Sequence, residues 1–524
     1  MALGDRLKRV ASRAAVRSER RVREAPATTG RDLAEWARAR LHGLRLVLVS
    51  NREPYSELPD GGEVRWVRNA GGLTVALDGV ARALGAAWVA QRSATSEVAS
   101  SEPERIGCPP DRPAYSLRRL TLSREDHERY YAGFSNGGLW PLCHIVYVRP
   151  RFELADWERY RDVYRRFADA VVEEAGDGPC LVFLQDYHLA LAARFIKERR
   201  PDARVALFWH IPWPNAEVIR RLPWRAELLD GMLANDLIGF HIRFHALNFL
   251  HTVADTHEAR VDHEKLAVDR GGRRTFVRDV PISVDLEEIS ALAEMPAARN
   301  AARTLRERFA PEGGAIGLGV DRMDYTKGIP ERLEALERLF ETRPEWIGRF
   351  RFVQVGVPSR IELEEYRAIA ARTRALVERL NGRFGGRDEA VTLIEANLDF
   401  RELLAWYLAA DVCVVSSLHD GMNLVAKEYV AARVDGDGAL VLSPFTGAAR
   451  ELERAWMASP YDKEALADSL HAALAEPAEG RRARMRALRE AVARRTIFDW
   501  AKSMLEAAVT LPGEPRAEER DAAI

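Results

Sequence analysis

The chain has 524 residues, of which 47% are hydrophobic and 30% are charged. This length exceeds what one core supports and predicts two or three domains. A net charge of −1 excludes a general attraction to nucleic acid or to a membrane surface, and no apolar run is long enough to cross a bilayer. Cys108, Cys143, Cys180 and Cys413 lack the spacing of a metal site, so we expect reduced thiols in a cytoplasmic protein.

Residues 1–40 are rich in Arg and Ala and form a net basic extension before the first strand. They could act as an arm for a partner or a membrane surface, although a solvated extension is the simpler interpretation. The segment lacks the apolar core of a secretory signal, and its interspersed acidic residues argue against a transit peptide.

Apolar strand candidates alternate with helical stretches from Leu44 onward. The first series comprises 44–50, 86–91, 180–185, 204–210 and 237–241, with helical stretches at 156–175 and 188–199. The second series comprises 315–320, 350–357, 391–396, 412–417 and 439–443. Such strands predict parallel sheets covered on both faces. The predicted fold class is therefore α/β, with two Rossmann-like, doubly wound domains that face each other across a cleft.

The same pattern predicts the domain limits. We expect an N-terminal domain over 41–290 and a C-terminal domain over 291–480, joined by an Ala- and Glu-rich connection at about 285–312. A final helical segment over 481–508 could cross back to the N-terminal domain, and residues 509–524 would form a tail.

Residues 412–432 carry the most informative motif, in which an apolar run leads into a polar loop and then a helix. Ligands of open α/β sheets bind beyond the carboxyl ends of the strands, where a helix N-terminus offers N–H groups to an anion. Gly421 would allow close approach of a phosphate, and Asp420 and Glu428 would accept hydrogen bonds from sugar hydroxyls. The motif therefore suits a nucleotide sugar.

Residues 317–333 form a second strand–loop–helix motif, with Arg322 and Lys327 in the loop. Two cations there suit a diphosphate whose charge grows as its bond breaks. The alternative is that they form surface salt bridges with Asp321 and Asp324.

Further polar residues follow strands of the first series. Arg52 lies shortly before the pair Gly71-Gly72, which could form a phosphate cradle or simply a turn. Asp186 and His210 end neighbouring strands and could perform acid–base chemistry or bind hydroxyls. Their alternatives are a helix N-cap for Asp186 and a buried, hydrogen-bonded imidazole for His210.

Some patterns are less informative. Tyr131 and Trp140 could form an apolar wall for a sugar ring, or could simply belong to the core. The acidic run at 434–438 precedes a strand rather than following one, which favours a turn over a metal or phosphatase site. His241 and His245 have metal-ligand spacing but no third ligand nearby, so we expect no metal site.

The motifs taken together resemble the trehalose-6-phosphate synthase family, which are retaining glucosyltransferases of the two-Rossmann, GT-B type. They are SNR (50–52), AGGL (70–73), YY-x-x-FSN with LWP (130–141), DYHL (186–189), HIPWP (210–214), GVDRMDYTKGIPER (319–332) and DGMNLVAKEYVAA (420–432). They occur in the family's order over residues 44 to about 505.

The resemblance implies a role for each matching residue. The acceptor's phosphate and sugar would be held by Arg52, Tyr131, Trp140, Asp186 and Arg360. The nucleotide sugar would contact Gly72, His210, Arg322, Lys327, Asp420, Gly421, Met422, Asn423, Leu424, Val425 and Glu428. Catalysis would depend on Arg322, Lys327, Asp186 and His210.

The implied reaction moves glucose from a nucleotide-glucose to glucose 6-phosphate and yields trehalose 6-phosphate. UDP-glucose is the favoured donor, with GDP- and ADP-glucose left open. The departing diphosphate would help accept the acceptor's proton, so the family's chemistry requires no protein nucleophile, metal or other cofactor. A homo-oligomer is compatible with this reading, and no nucleic-acid or membrane partner is expected.

Departures from the family pattern lie in the first half of the chain. The loop after the second strand reads AAWVAQRSATSE (86–97), residues 53–69 are longer and more charged, and Gln185 stands where His is common. A glucosylglycerol-phosphate synthase-like enzyme is therefore the alternative, since the acceptor could be glycerol 3-phosphate. A non-catalytic sugar-phosphate sensor is a more distant one.

Overall fold

A computed structural model describes residues 28–60, 63–68, 72–93, 104–310 and 313–511. Most of the basic extension, Gly71 of the glycine pair and the end of the tail lie outside these residues. Within them, no helix is both long enough and apolar enough to span a bilayer.

The strands, in chain order, are β1 Arg45–Arg52, β2 Tyr55–Asp60, β3 Glu63–Arg68, β4 Ala87–Gln91, β5 Arg105–Cys108, β6 Tyr115–Leu120, β7 Cys180–Gln185, β8 Arg204–Phe208, β9 Leu237–Phe240, β10 Arg260–Asp262, β11 Ala267–Arg270, β12 Arg273–Asp279, β13 Ala315–Arg322, β14 Phe350–Val357, β15 Val391–Ile394, β16 Val412–Val415, β17 Ala439–Leu442 and β18 Trp456–Met457.

The helices are α1 Gly30–Arg40, α2 Gly72–Leu84, α3 Arg124–Asp126, α4 Trp140–His144, α5 Leu154–Ala175, α6 Ala192–Arg199, α7 Ala216–Ile219, α8 Arg225–Met232, α9 Arg243–Thr256, α10 Leu286–Glu294, α11 Pro296–Phe309, α12 Ile329–Thr342, α13 Glu364–Phe384, α14 Phe400–Ala409, α15 Leu424–Ala432, α16 Lys463–Ala475, α17 Ala478–Ala493 and α18 Ile497–Thr510. A wide, π-type helix, His127–Leu139, joins α3 to α4.

The first sheet has ten strands in the order β10-β11-β12-β9-β8-β7-β1-β4-β6-β5. Its centre, from β9 to β4, is parallel. Alternate residues of β1 enter different cores, with Leu48 in one hydrophobic cluster and Val49 in the other. Because both faces of the strand are buried, the strand reads as a continuous apolar run.

The second sheet has six strands in the order β15-β14-β13-β16-β17-β18, and all of its pairs are parallel. It too is buried on both faces, since Cys413 and Val414 of β16 belong to different clusters. All ten strands predicted from the sequence are present, with ends shifted by a few residues. The hairpin β2–β3, the strands β5, β6 and β10–β12 toward the edges of the first sheet, and β18 of the second sheet were not predicted.

The sequence prediction for the segments around 285–312 and 481–508 was too simple. The first contains α10 and α11, which lie against helices of the second sheet: the Phe309 and Trp406 rings are 5.1 Å apart. The second segment breaks near Thr496, whose side chain caps α18. Helix α18 lies on the first sheet, where the Trp500 ring is 5.1 Å from Phe208.

Candidate active site

A cavity of about 680 Å³ lies where the carboxyl ends of the two parallel sheets meet. Nearly all of the predicted site residues line it: Arg52, Gly72, Tyr131, Trp140, Asp186, His210, Arg322, Lys327, Arg360, Asp420, Met422, Asn423, Leu424, Val425 and Glu428. Gly421 is the exception. A Cβ atom on Gly421 would lie 2.1 Å from the carbonyl oxygen of His210, so this glycine allows the two halves of the molecule to touch.

One end of the cavity, here called the aromatic end, is built from Arg52, Tyr131, Trp140 and Arg360. The Arg52 guanidinium donates a hydrogen bond to the Tyr131 hydroxyl over 3.2 Å. Burial opposes ionisation of Tyr131, but the guanidiniums of Arg52 and Arg360 outweigh it and lower the pKa of Tyr131 to about 7. Such a shift shows how strongly positive this end is.

Arg360 is held over an aromatic surface at this end. Its guanidinium carbon lies 4.2 Å from the Trp140 ring centre, and it also donates to the Tyr187 hydroxyl over 3.2 Å. Its backbone has φ 47°, a strained conformation for a residue with a side chain. The nearest carboxylate, Asp324, is 3.7 Å away. The charge of Arg360 is therefore solvated mainly by aromatic rings and phenols.

Asp186 and His210 lie between the two ends. Asp186 accepts hydrogen bonds from the backbone N–H groups of Tyr187 at 2.9 Å and His210 at 3.0 Å. Its φ of 75° is strained, and burial raises the pKa of its carboxyl to about 6. Asp186 is a helix N-cap, as the alternative interpretation of the sequence predicted, since its side chain caps the short helix Tyr187–Leu189. The same carboxyl nevertheless faces the cavity.

The imidazole of His210 is also hydrogen-bonded. Its Nε2 lies 2.9 Å from Oε1 of Gln185, and burial lowers the pKa of His210 to about 3. His210 is therefore neutral at physiological pH. The ring is a buried, hydrogen-bonded imidazole, as the alternative interpretation predicted, and it also lines the cavity.

The other end of the cavity, here called the helix end, is built from Lys327, Asp420 and Glu428 around the N-terminus of α15. Lys327 Nζ lies 2.5 Å from the Asp420 carboxylate. Burial alone would raise the pKa of Asp420, but Lys327 holds it well below its usual range. The predicted salt bridge between Arg322 and Asp324 is present at 3.5 Å. Asp321 instead pairs with Arg332, at 2.7 Å.

The loop before α15 presents backbone donors to the cavity. Asn423 adopts φ 79° and its side chain caps the N–H of Ala426 at 3.1 Å. The N–H groups of Leu424 and Val425, at the start of the helix, have no intrahelical partner. A Cβ atom on Gly72 would lie 2.8 Å from the Leu424 side chain, so a larger residue here would require Leu424 to move. The result is a narrow site for an anion.

Glu428 closes the helix end. Its Oε2 accepts a hydrogen bond from the Tyr407 hydroxyl over 2.8 Å. Burial raises the pKa of Glu428, and the hydrogen bond from Tyr407 opposes that rise. The other oxygen, Oε1, lies 3.5 Å from the Cβ position of Gly72, on the cavity side. One oxygen of the carboxylate is thus anchored and the other is available to a ligand.

Some lining residues were not recognised in the sequence as part of the site. The hairpin contributes Trp66 and Arg68, and the loop before α14 contributes Asn397, Leu398 and Asp399. The loop could have been found, because it joins a strand to a helix and Asp399 forms a capping box with Glu402. The hairpin could also have been found, because Gly61-Gly62 separate its two strand segments as in a two-residue hairpin turn.

The patterns discounted earlier have structural explanations. Asp435 pairs with Arg433 at 2.8 Å and Asp437 pairs with Arg481, so the acidic run forms a turn before β17. His241 accepts a hydrogen bond from the backbone N–H of Ile282 over 3.4 Å. Over the described ranges, no three His, Cys, Asp or Glu side chains are grouped as metal ligands would be.

Comparisons with known proteins show the family and the fold of the chain. The family model of glycosyltransferase family 20 matches residues 44–509. A trehalose-6-phosphate synthase of Mycolicibacterium smegmatis is 40% identical over 472 residues, which cover 88% of this chain and 92% of that protein. An E. coli structure bound with UDP-2-fluoro glucose has a TM-score of 0.80 at 29% identity and covers 89% of this chain and 99% of its own. A Burkholderia xenovorans alpha,alpha-trehalose-phosphate synthase in complex with glucose-6-phosphate has a TM-score of 0.79 at 30% identity, with coverages of 88% and 99%.

Proposed function

We propose, since the chain belongs to glycosyltransferase family 20 and has the GT-B fold, that it transfers glucose from a nucleotide-glucose to glucose 6-phosphate. The products would be trehalose 6-phosphate and a nucleoside diphosphate. The observation that carries the proposal is one cavity with an anion site at each end, separated by Asp186 and His210.

The aromatic end suits the acceptor. Two arginines, Arg52 and Arg360, converge there on Tyr131, and guanidiniums and a phenol are good donors to a phosphate dianion. Trp140 lines the cavity beside them and carries the Arg360 guanidinium over its ring, 4.2 Å from the ring centre. An acceptor with a phosphate group suits this end. The B. xenovorans relative was solved with glucose-6-phosphate, which supports this choice.

The helix end suits the donor. The N-terminus of α15, Lys327 and Arg322 can surround a diphosphate. The free oxygen of Glu428 can accept a ribose hydroxyl, and the E. coli relative was solved with a UDP-sugar analogue. We infer that UDP-glucose is the preferred donor, with GDP- and ADP-glucose as the other options.

The geometry favours transfer without a protein nucleophile. The Asp186 carboxylate is held by two backbone N–H groups, and no second carboxylate pairs with it in the described cavity wall. In this mechanism the acceptor attacks on the face from which the diphosphate leaves. The departing oxygen takes the acceptor's proton, and the anomeric configuration is retained. The work of the protein is then to orient the substrates and to stabilise the charge that develops on the diphosphate.

We also infer the domain limits from this arrangement. A boundary near residue 290 places the acceptor site mainly in the N-terminal domain and the donor site in the C-terminal domain. Arg360 then belongs to the C-terminal domain but contributes to the acceptor site. Helix α18 then belongs to the N-terminal domain, against which Trp500 packs.

The experiment is a substrate matrix with purified protein. UDP-, GDP- and ADP-glucose are each combined with glucose 6-phosphate, glycerol 3-phosphate or free glucose, and diphosphate release and product mass are measured. A disaccharide phosphate formed from glucose 6-phosphate is expected. Release with glycerol 3-phosphate alone would instead favour the alternative acceptor, and nucleotide binding without transfer to any acceptor would favour a sensor.

A further inference from the structure

Gln185 is the last residue of β7 and lies on the cavity wall between the two ends. It is 1% exposed, and its Oε1 is 2.9 Å from Nε2 of His210. A carbonyl oxygen can only accept a hydrogen bond, so this contact requires the hydrogen of the His210 ring to lie on Nε2.

Which ring nitrogen of His210 carries the hydrogen decides what the other nitrogen can bind. Burial keeps the ring neutral, and a neutral imidazole carries one N–H group only. With that group given to Gln185, Nδ1 of His210 is an acceptor. Nδ1 has no hydrogen-bond partner among the described residues. Its lone pair is therefore available to a ligand in the cavity.

The groups around the pair do not compete for these atoms. The neighbouring imidazole of His241, with its centre 5.3 Å from that of His210, uses Nδ1 to accept from the Ile282 N–H. Oδ1 of Asp186 is occupied by the backbone N–H groups of Tyr187 and His210. The amide nitrogen of Gln185 is buried and has no partner in the described part of the chain. The contact with His210 is thus the hydrogen bond that orients the Gln185 side chain.

We propose that Gln185 is a positioning residue that fixes His210 as the Nε2–H tautomer, so that Nδ1 accepts a hydrogen bond from one hydroxyl of the donor glucose. This inference rests on the proposed function. It has a chemical consequence, because a hydroxyl can donate a hydrogen bond whereas a fluorine in its place can only accept one. The opposite tautomer would present an N–H group to the sugar and would tolerate the fluorine.

The test measures dissociation constants by calorimetry, without acceptor, so that the electronic effect of fluorine on glucosyl transfer does not enter. The ligands are UDP-, GDP- and ADP-glucose and analogues of the tightest binder in which each glucose hydroxyl is replaced in turn by hydrogen or fluorine. The proteins are the wild type, Gln185→Met, and Gln91→Met as a matched control. Gln91 is also buried and is also the last residue of a strand of the first sheet, β4, but it does not line the cavity.

At one hydroxyl position, the wild type is expected to lose about tenfold in affinity with both the hydrogen and the fluorine analogue. Gln185→Met should bind the native donor about tenfold more weakly and lose most of that discrimination, whereas Gln91→Met should behave as the wild type. Retention of affinity with the fluorine analogue alone at that position would indicate the opposite tautomer and overturn the inference.

Unchanged affinities and discrimination in Gln185→Met would also overturn it, while leaving the proposed function intact. Failure of the wild type to bind any of the three nucleotide-glucoses would overturn the proposed function, and the inference with it. The two failures are therefore distinguishable.

Discussion

The two ends of the cavity hold their positive charges in different ways. At the aromatic end, Arg360 lies on the Trp140 ring and hydrogen-bonds to phenols, with its nearest carboxylate at 3.7 Å. At the helix end, Lys327 is in direct contact with Asp420 at 2.5 Å. The first arrangement leaves a cation ready for a dianion. The second neutralises the cation through a direct ion pair with Asp420, and under the proposed function the diphosphate would have to compete with that carboxylate for Lys327.

The largest effect is expected from Lys327→Met at the helix end. Loss of a cation that stabilises the leaving diphosphate should lower kcat by about 10²–10³ at saturating substrates. The measurement is steady-state release of nucleoside diphosphate. Lys265→Met is the control, because Lys265 is exposed in a turn and does not line the cavity.

A stability measurement should accompany this variant, because Lys327→Met leaves the Asp420 carboxylate without its cation. The double variant Lys327→Met with Asp420→Asn removes that unpaired charge. Near-normal turnover in folded Lys327→Met would contradict the assignment of the helix end to the diphosphate.

Arg360→Met tests the aromatic end and should act on the other substrate. We expect the KM for glucose 6-phosphate to rise about 10²-fold, because a guanidinium contact with phosphate is lost, with the KM for the nucleotide-glucose changed less than about twofold. Arg349→Met, at an exposed arginine in the turn before β14, is the matched control. An equal rise in both KM values would mean that the two ends do not bind separate substrates.

The pH dependence of acceptor binding sharpens the same comparison. The pKa of Tyr131 is lowered to about 7, so its phenol is neutral below pH 7 and becomes a phenolate above it. A phenolate would repel the acceptor's phosphate. The KM for glucose 6-phosphate should therefore rise by about tenfold per pH unit above 7. In Tyr131→Phe this rise should disappear, and a persisting rise would assign the titration to another group.

The smallest effect is expected from Tyr407→Phe. The variant removes the hydrogen bond to Glu428, worth about 1 kcal/mol, so affinity for the nucleoside diphosphate should fall about three- to tenfold. The bond from Tyr407 lowers the pKa of Glu428, and its loss should raise that pKa and enlarge the defect as pH falls. The control is Tyr429→Phe, because Tyr429 follows Glu428 on α15 but does not line the cavity. Equal loss of affinity in Tyr407→Phe and Tyr429→Phe would contradict a role for Glu428 in the donor site.

The sequence predicted the helix end more completely than the aromatic end. Strand β16, the loop with Asp420 and helix α15 are consecutive in the chain, so local pattern alone places their residues together. The aromatic end joins Arg52 of β1, Tyr131 of a π-type helix and Arg360 after β14. Only tertiary packing brings these together, and the family resemblance rather than periodicity grouped them.

Most of the contacts that were not predicted from the sequence join segments that are distant in the chain. The hairpin residues Trp66 and Arg68 reach the cavity from a segment outside the motifs recognised in the sequence, and the contact between Gln185 and His210 joins the ends of β7 and β8. The break near Thr496 depends on a cap that was visible in the sequence but was not used. Pairings across the fold, such as Lys327 with Asp420, carry no local signal at all.

The most direct test of two separate anion sites is a calorimetric cross-titration. Lys327→Met and Arg360→Met are each titrated with UDP and, separately, with glucose 6-phosphate. We expect Lys327→Met to lose affinity for UDP and keep that for glucose 6-phosphate, and Arg360→Met to show the reverse. Loss of both ligands in either folded variant, or loss of the same ligand in both, would contradict a donor site at the helix end and an acceptor site at the aromatic end.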